Sequence, residues 1–188
     1  MTSTLEAALL GVLARGEHTG YSLARMMGRP VGYFWSAHHS QIYGALASLE
    51  DRALVRHTVI EGAGPRPTKR YAITAAGLDA LREFVAGELV EPPTRDLETL
   101  KMWSMWTVDP GSARALVERA YARHASRLTA YETELAEVSA DPDSRDRTHP
   151  LFASRLTLEG GVRSRRAAVD WCAWMLGELA VAEGAEAD

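Results

Sequence analysis

Residues 91 to 94 read Glu-Pro-Pro-Thr, and this proline pair limits what the chain can fold into. Neither proline fits inside a helix, because each ring removes a backbone donor and collides with the preceding turn. A break is therefore expected there, with one domain over residues 1–90 and another over 91–188. The hydrophobic pattern changes character across the break: short, mixed elements precede it, and long helical seams follow it.

In the first half, Ser3 and Glu6 form a capping-box pattern ahead of Leu5, Leu9, Val12 and Leu13, with Gly16 as a stop. A short helix after Gly20 puts Leu23, Ala24 and Met27 on one face and ends at Gly28-Arg29-Pro30. Ser40 is placed to cap a third helix to about Arg52, burying Ile42, Ala45, Leu46 and Leu49. Alternation and β-branching over 54–60 predict a strand, Glu61 to Pro67 a turn, and 69–73 a second strand. Thr74 then caps a fourth helix with Leu78, Leu81 and Val85 on its buried side. The sum is a three-helix core with a β-hairpin wing. Such a domain presents the start of its third helix to the major groove of DNA and its wing to phosphates or the minor groove.

The second half reads as wholly helical. One helix carries Leu97, Leu100, Met102, Trp103, Met105 and Trp106. After Asp109-Pro110, apolar or aromatic residues recur at Val117, Tyr121, His124, Leu128, Tyr131, Leu135 and Val138. Beyond a break at Ala140 to Pro150, the pattern returns at Leu158, Val162, Arg165, Val169, Cys172, Leu176 and Leu179. Alternating steps of four and three are heptad spacing. Two such seams leave too large an apolar patch for a monomer, so a homodimer is expected. The fold class expected is mainly α with a small β-hairpin: an N-terminal winged helix-turn-helix and a C-terminal helical, coiled-coil-like dimerisation domain.

The net charge of −4 does not itself announce a nucleic-acid binder, but its distribution is uneven. Residues 1–90 sum to +1, residues 91–188 to −5, and Thr19 to Arg70 alone to +4. A local basic surface on an acidic chain suits a protein that reads DNA without binding it indiscriminately. No apolar run approaches the ~20 residues of a membrane span. The N-terminus reads as an amphipathic helix, not a signal peptide, and the single Cys172 suits a reducing, cytoplasmic setting. There is no phosphate-binding glycine loop, paired-carboxylate motif, or Cys–His or Ser–His signature, so neither an enzyme nor a cofactor is expected. His38 and His39 invite a metal reading, but no Cys, Asp or Glu lies at ligand spacing beside them. No metal is expected.

Four stretches occur together in order: Leu9-Leu10-Gly11-Val12-Leu13, Gly20-Tyr21-Ser22-Leu23, Gln41 to Glu50 (QIYGALASLE) and Lys69 to Gly77 (KRYAITAAG). Together they resemble the PadR family of transcriptional regulators. The second half is similar, more loosely, to the longer PadR subgroup through Leu100-Lys101-Met102-Trp103 and Ala168-Val169-Asp170-Trp171. The resemblance implies a dimeric regulator, usually a repressor, that leaves DNA when an effector binds; in phenolic-acid-responsive members the effector is a small aromatic acid. One departure is Gly44, where the family commonly has proline after the recognition-helix tyrosine.

The candidate DNA contacts are Tyr21, His38, His39, Ser40, Gln41, Tyr43, Arg66, Lys69 and Arg70. Tyr43 lies one position past buried Ile42 and so points outward, and the resemblance puts a tyrosine at the DNA surface there; the alternative is a ring packed on the wing. Tyr21 either bonds a phosphate or packs in the core. Lys69 and Arg70, adjacent on a strand, face opposite sides, so at most one meets DNA. Palindromic double-stranded DNA with half-sites about 34 Å apart is the expected partner. Trp103, Trp106, Trp171 and Trp174 with Arg165 form a candidate effector pocket near the dimer interface; the plainer reading is aromatic packing, with Arg165 paired to a glutamate. His124 reads as a satisfied interface histidine and Cys172 as structural. The competing function is a winged-helix interaction module that does not bind DNA.

Overall fold

The computed structural model describes residues 2–28, 39–61, 67–89 and 95–185, and the chain divides into two compact units, Met1–Glu91 and Pro92–Asp188. The first unit contains α1 (Thr4–Leu13), β1 (His18–Thr19), α2 (Gly20–Gly28), α3 (His39–Asp51), β2 (Val55–Ile60), β3 (Thr68–Ile73) and α4 (Ala75–Ala86). The β1 strand is an addition to the sequence expectation. It pairs antiparallel with β3, His18 opposite Tyr71, giving the sheet order β1-β3-β2. Two residues carry too short a period to be read as a strand. The predicted hairpin is present in register, with Val55 opposite Ile73 and Ile60 opposite Thr68.

The expected faces meet in one core: Leu9, Leu10, Val12 and Leu13 of α1, Leu23 and Met27 of α2, Ile42, Leu46 and Leu49 of α3, with Val55 and Tyr71 from the sheet. Val85 departs from expectation: it is exposed, as are Phe84 and Leu89. Ala80 and Leu81 are the α4 residues that reach the core, and the last turn runs past it. Ser40 also differs. The helical backbone already includes His39, so Ser40 is an exposed first-turn residue and not the cap.

The second unit consists of α5 (Leu97–Trp103), a 3-10 turn (Met105–Thr107), α6 (Pro110–Ala140), a second 3-10 turn (Pro142–Arg145) and α7 (Pro150–Ala185). The helix expected through Trp106 stops at Trp103 and tightens into the 3-10 turn. Asp96, which caps α5, accepts the Glu98 and Thr99 N–H groups, and Asp109 caps α6 through Ser112. The long helices α6 and α7 pack along the predicted seams, with Val117, His124 and Tyr131 facing Leu158, Val162 and Cys172 as buried residues. Tyr121 is the exception. It is 37% exposed, and buried Ala120 takes the inward place beside it. None of the described helices is long and apolar enough to cross a membrane.

Candidate DNA-binding face

Recognition requires a rigid helix with one side free. Ile42, Leu46 and Leu49 are at most 1% exposed, while Ser40, Gln41, Tyr43 and Gly44 lie on the outer side of α3. The C-terminal part of this helix is held. Near its C-terminal end, buried Glu6 of α1 accepts the Ser48 hydroxyl at 2.8 Å and pairs with Arg52 at 2.6 Å. The other Glu6 oxygen accepts the Ser3 N–H at 2.7 Å, completing the capping box. Burial alone would raise the Glu6 pKa, but the Ser3 N–H, the Ser48 and Ser3 hydroxyls and Arg52 outweigh it and hold the carboxyl below its usual range. One carboxylate therefore caps α1 and fixes α3.

The chain leaves α3 through a Schellman turn. Leu54 N–H bonds the Leu49 carbonyl and Ala53 N–H bonds that of Glu50, with Ala53 left-handed at φ 56°. The Thr74 hydroxyl donates to the Ala53 and Leu54 carbonyls and accepts the Gly77 N–H at 3.0 Å. Gly77 is required here, because a Cβ would collide with the Leu54 carbonyl oxygen. Helix α3, its exit turn and the start of α4 thus form one block.

Tyr43 is 45% exposed, and its ring lies over Gly20 at the start of α2, where a Cβ would sit 2.8 Å from Cε1. It therefore packs on the start of α2 and keeps an open edge. Tyr21, at 70% exposure, lies outside the core. These two tyrosines share the end of the unit where α2 begins. Lys69 and Arg70 separate as the strand period requires: Lys69 Nζ lies 3.4 Å from Glu50, while Arg70 is exposed on the opposite face of β3. Glu50 also bonds His57 Nδ1, and this bond, followed by Lys69, keeps the Glu50 carboxyl below its usual range. Arg66 and His38 lie outside the described residues, as does the His39 side chain. Sequence reasoning missed the Glu6 and Glu50 networks, because the spacing between partners reflects tertiary packing and no local period.

The second unit does not gather its tryptophans around Arg165. Trp103, Trp106 and Trp174 are strongly exposed, and Trp171 is half-buried against a cluster of Met102, Val117, Ala120, Cys172 and Met175. Arg165 donates to His124 Nδ1 at 3.1 Å, and His124 Nε2 lies 2.7 Å from Glu98 Oε1; Arg123 bonds the second Glu98 oxygen. Arg165 thus reaches its glutamate through an imidazole, and His124 is satisfied as expected. Burial, then the neighbouring Glu98, push the Cys172 thiol above its usual range, so it is not a reactive thiolate. Beside this cluster, Lys101, Ser104, Met105, Val108, Leu116 and Arg119 line a groove of about 320 Å³ between α5 and α6.

The chain matches two family models, the transcriptional regulator PadR-like family over residues 9–83 and the virulence activator alpha C-terminal family over 94–180. It is 30% identical over 178 residues to a probable transcriptional regulator of Mycobacterium tuberculosis, covering 89% of this chain and 93% of that one. It is 27% identical over 169 residues to the negative transcriptional regulator PadR of Bacillus subtilis, covering 89% and 92%. The structure of that PadR with operator DNA superposes with a TM-score of 0.83 at 25% identity over 94% of this chain and 99% of that one; its complex with p-coumaric acid gives 0.76 over the same shares. The Vibrio cholerae virulence activator AphA gives 0.71 at 27% identity over 95% and 99%. From the first relative's identity and coverage, the chain belongs to the PadR-like family of transcriptional regulators, non-enzymatic proteins with a DNA-binding winged helix-turn-helix.

Proposed function

We propose that this regulator is a homodimeric repressor that binds a palindromic operator through α3, Tyr21 and the wing, and leaves it when a small aromatic acid binds the second unit. The observation that carries the reading is the outer face of α3. Its polar first turn and half-open Tyr43 are exposed on a helix fixed from behind by Glu6 and the core. Ser40 and Gln41 meet base edges or phosphates there, a glutamine amide being able to pair with adenine, and Tyr43, Tyr21 and Arg70 hold the backbone. The exposed Leu97, Leu100, Trp103 and Trp106 supply the apolar area of the dimer contact. Repression and release by an acid are taken from the B. subtilis relative, described as a negative regulator and solved with p-coumaric acid. The α5–α6 groove offers such an acid two cations, Lys101 and Arg119, around an apolar floor.

Fluorescence anisotropy with the DNA upstream of the protein's own gene tests this. Tyr43→Ala is expected to weaken specific binding about tenfold or more, equivalent to the roughly 1–3 kcal/mol of a good contact, with the oligomeric state unchanged. Operator affinity equal to wild type would remove Tyr43 from the contact surface.

A further inference from the structure

Three helices of the second unit direct unlike donors at one point. Glu98 comes from α5, His124 from α6 and Cys172 from α7, and one ligand atom of each lies within 4.8 Å of the other two. Cys172 is fully buried, its thiol is free, and His124 is 6% exposed. Arg123 bonds Glu98 Oε2 and Arg165 bonds His124 Nδ1, while Glu98 Oε1 and His124 Nε2 lie 2.7 Å from each other. Hydrogen bonding explains the Glu98–His124 pair. The buried Cys172 thiol, packed in the apolar cluster with Val117 and Ala120, stands beside that pair and adds a sulfur donor to it.

We propose that Glu98, His124 and Cys172 form a transition-metal site, fitted to Zn²⁺, that ties α5 to α6 and α7. Nitrogen, sulfur and carboxylate oxygen are the donors zinc takes, at about 2.0–2.3 Å, with a fourth position left to water. Those bond lengths put neighbouring donors roughly 3.3–3.8 Å apart, so the Glu98–His124 pair, now at 2.7 Å, opens on binding and the thiol settles at the same spacing. The proton inventory is explicit. With Arg165 donating to Nδ1, the neutral imidazole carries its proton on Nε2. The cation takes Nε2, the ring proton moves to Nδ1, and Arg165, half-buried at the surface, releases its bond. The Cys172 thiol proton leaves to solvent. Sequence spacing gives no hint of this site, because positions 98, 124 and 172 meet only in the folded unit.

The test uses the full chain stripped with chelator. One Co²⁺ per chain is expected to bind with a thiolate-to-cobalt charge-transfer band, assignable because Cys172 is the single cysteine, and Zn²⁺ is expected to displace it. Cys172→Ser should abolish the band, and His124→Gln should lower Zn²⁺ affinity by at least the roughly 10–100-fold typical for losing even a supporting partner, each variant being checked for folding by circular dichroism. Zinc should also raise the melting temperature of the wild type and not of Cys172→Ser. No uptake by the folded wild type, or uptake without the thiolate band, as from surface histidines, overturns the proposal, and neither result depends on a variant folding.

Discussion

The two units bury their apolar residues in opposite ways. The first folds around a closed core: residues from three helices and two strands interdigitate, and the largest of them are completely buried. The second has two helices of 31 and 36 residues meeting along one narrow seam, while Leu97, Leu100, Trp103, Trp106 and Trp174 stay more than half exposed. A domain that must hold a recognition helix rigid completes its own core. One that leaves this much aromatic surface open is built to be completed by something else, and under the proposed function that is a second copy. Stability should therefore be a property of the chain in the first unit and of concentration in the second.

The strongest way to break this contrast is Gly77→Ala. Its Cβ has no room against the Leu54 carbonyl, so a loss of about 3 kcal/mol or more is expected, read by denaturant unfolding. The loss should fall in the first unit and be independent of protein concentration; a variant as stable as wild type would show that the α3–α4 block is not as tight as described. Trp103→Glu addresses the other unit. It places a charge in the proposed dimer contact, at a cost on the order of 2 kcal/mol or more, so sedimentation should shift toward monomer while the first unit melts unchanged. A dimer that persists undiminished would move the contact away from α5.

Glu6 offers a smaller effect with a predictable sign. Its folded-state pKa is lowered, so its stabilisation is present above the usual glutamate range and is lost as pH falls through the lowered folded value. Glu6→Gln is expected to remove about 1–2 kcal/mol at neutral pH and to flatten the acid limb of the stability curve; an unchanged acid limb would remove Glu6 as the link between α1 and α3. The smallest expected effect is favourable. Ala53 holds a left-handed conformation that glycine adopts without strain, so Ala53→Gly should stabilise the first unit by roughly 0.5–1 kcal/mol. A loss of stability would mean the Schellman turn tolerates alanine and gains from its lower unfolded entropy.

The contrast also explains what the sequence could show. Local periodicity marks which face of a helix is apolar, and it located the α1, α2 and α3 faces, the hairpin and, Tyr121 apart, both long seams. It does not mark what covers that face. Val85 and Tyr121 fit their helical periods yet lie exposed, because the core ends before α4 does and because small Ala120 lets α6 and α7 meet beside Tyr121. Tyr43 was legible as an outward residue on α3, but not its seat on Gly20, which joins positions in different elements. Networks between distant positions were the least legible. Glu6–Ser48–Arg52, Glu50–His57–Lys69 and Glu98–His124–Arg165 each join residues that no sequence window holds together. The candidate tryptophan pocket around Arg165 failed to assemble within the chain for the same reason: Arg165 faces the seam and three of the tryptophans face outward.

The central claim is that two copies, joined through the open surface of the second unit, place two finished recognition helices on one palindromic site. The mass of the protein–DNA complex in solution, measured by light scattering on a duplex from upstream of the protein's own gene with competitor DNA present, tests it directly. The account predicts two chains per duplex, lost on raising salt and on adding p-coumaric acid or a similar small acid. A complex of one chain per duplex, or a folded dimer that does not distinguish this duplex from competitor, would contradict it.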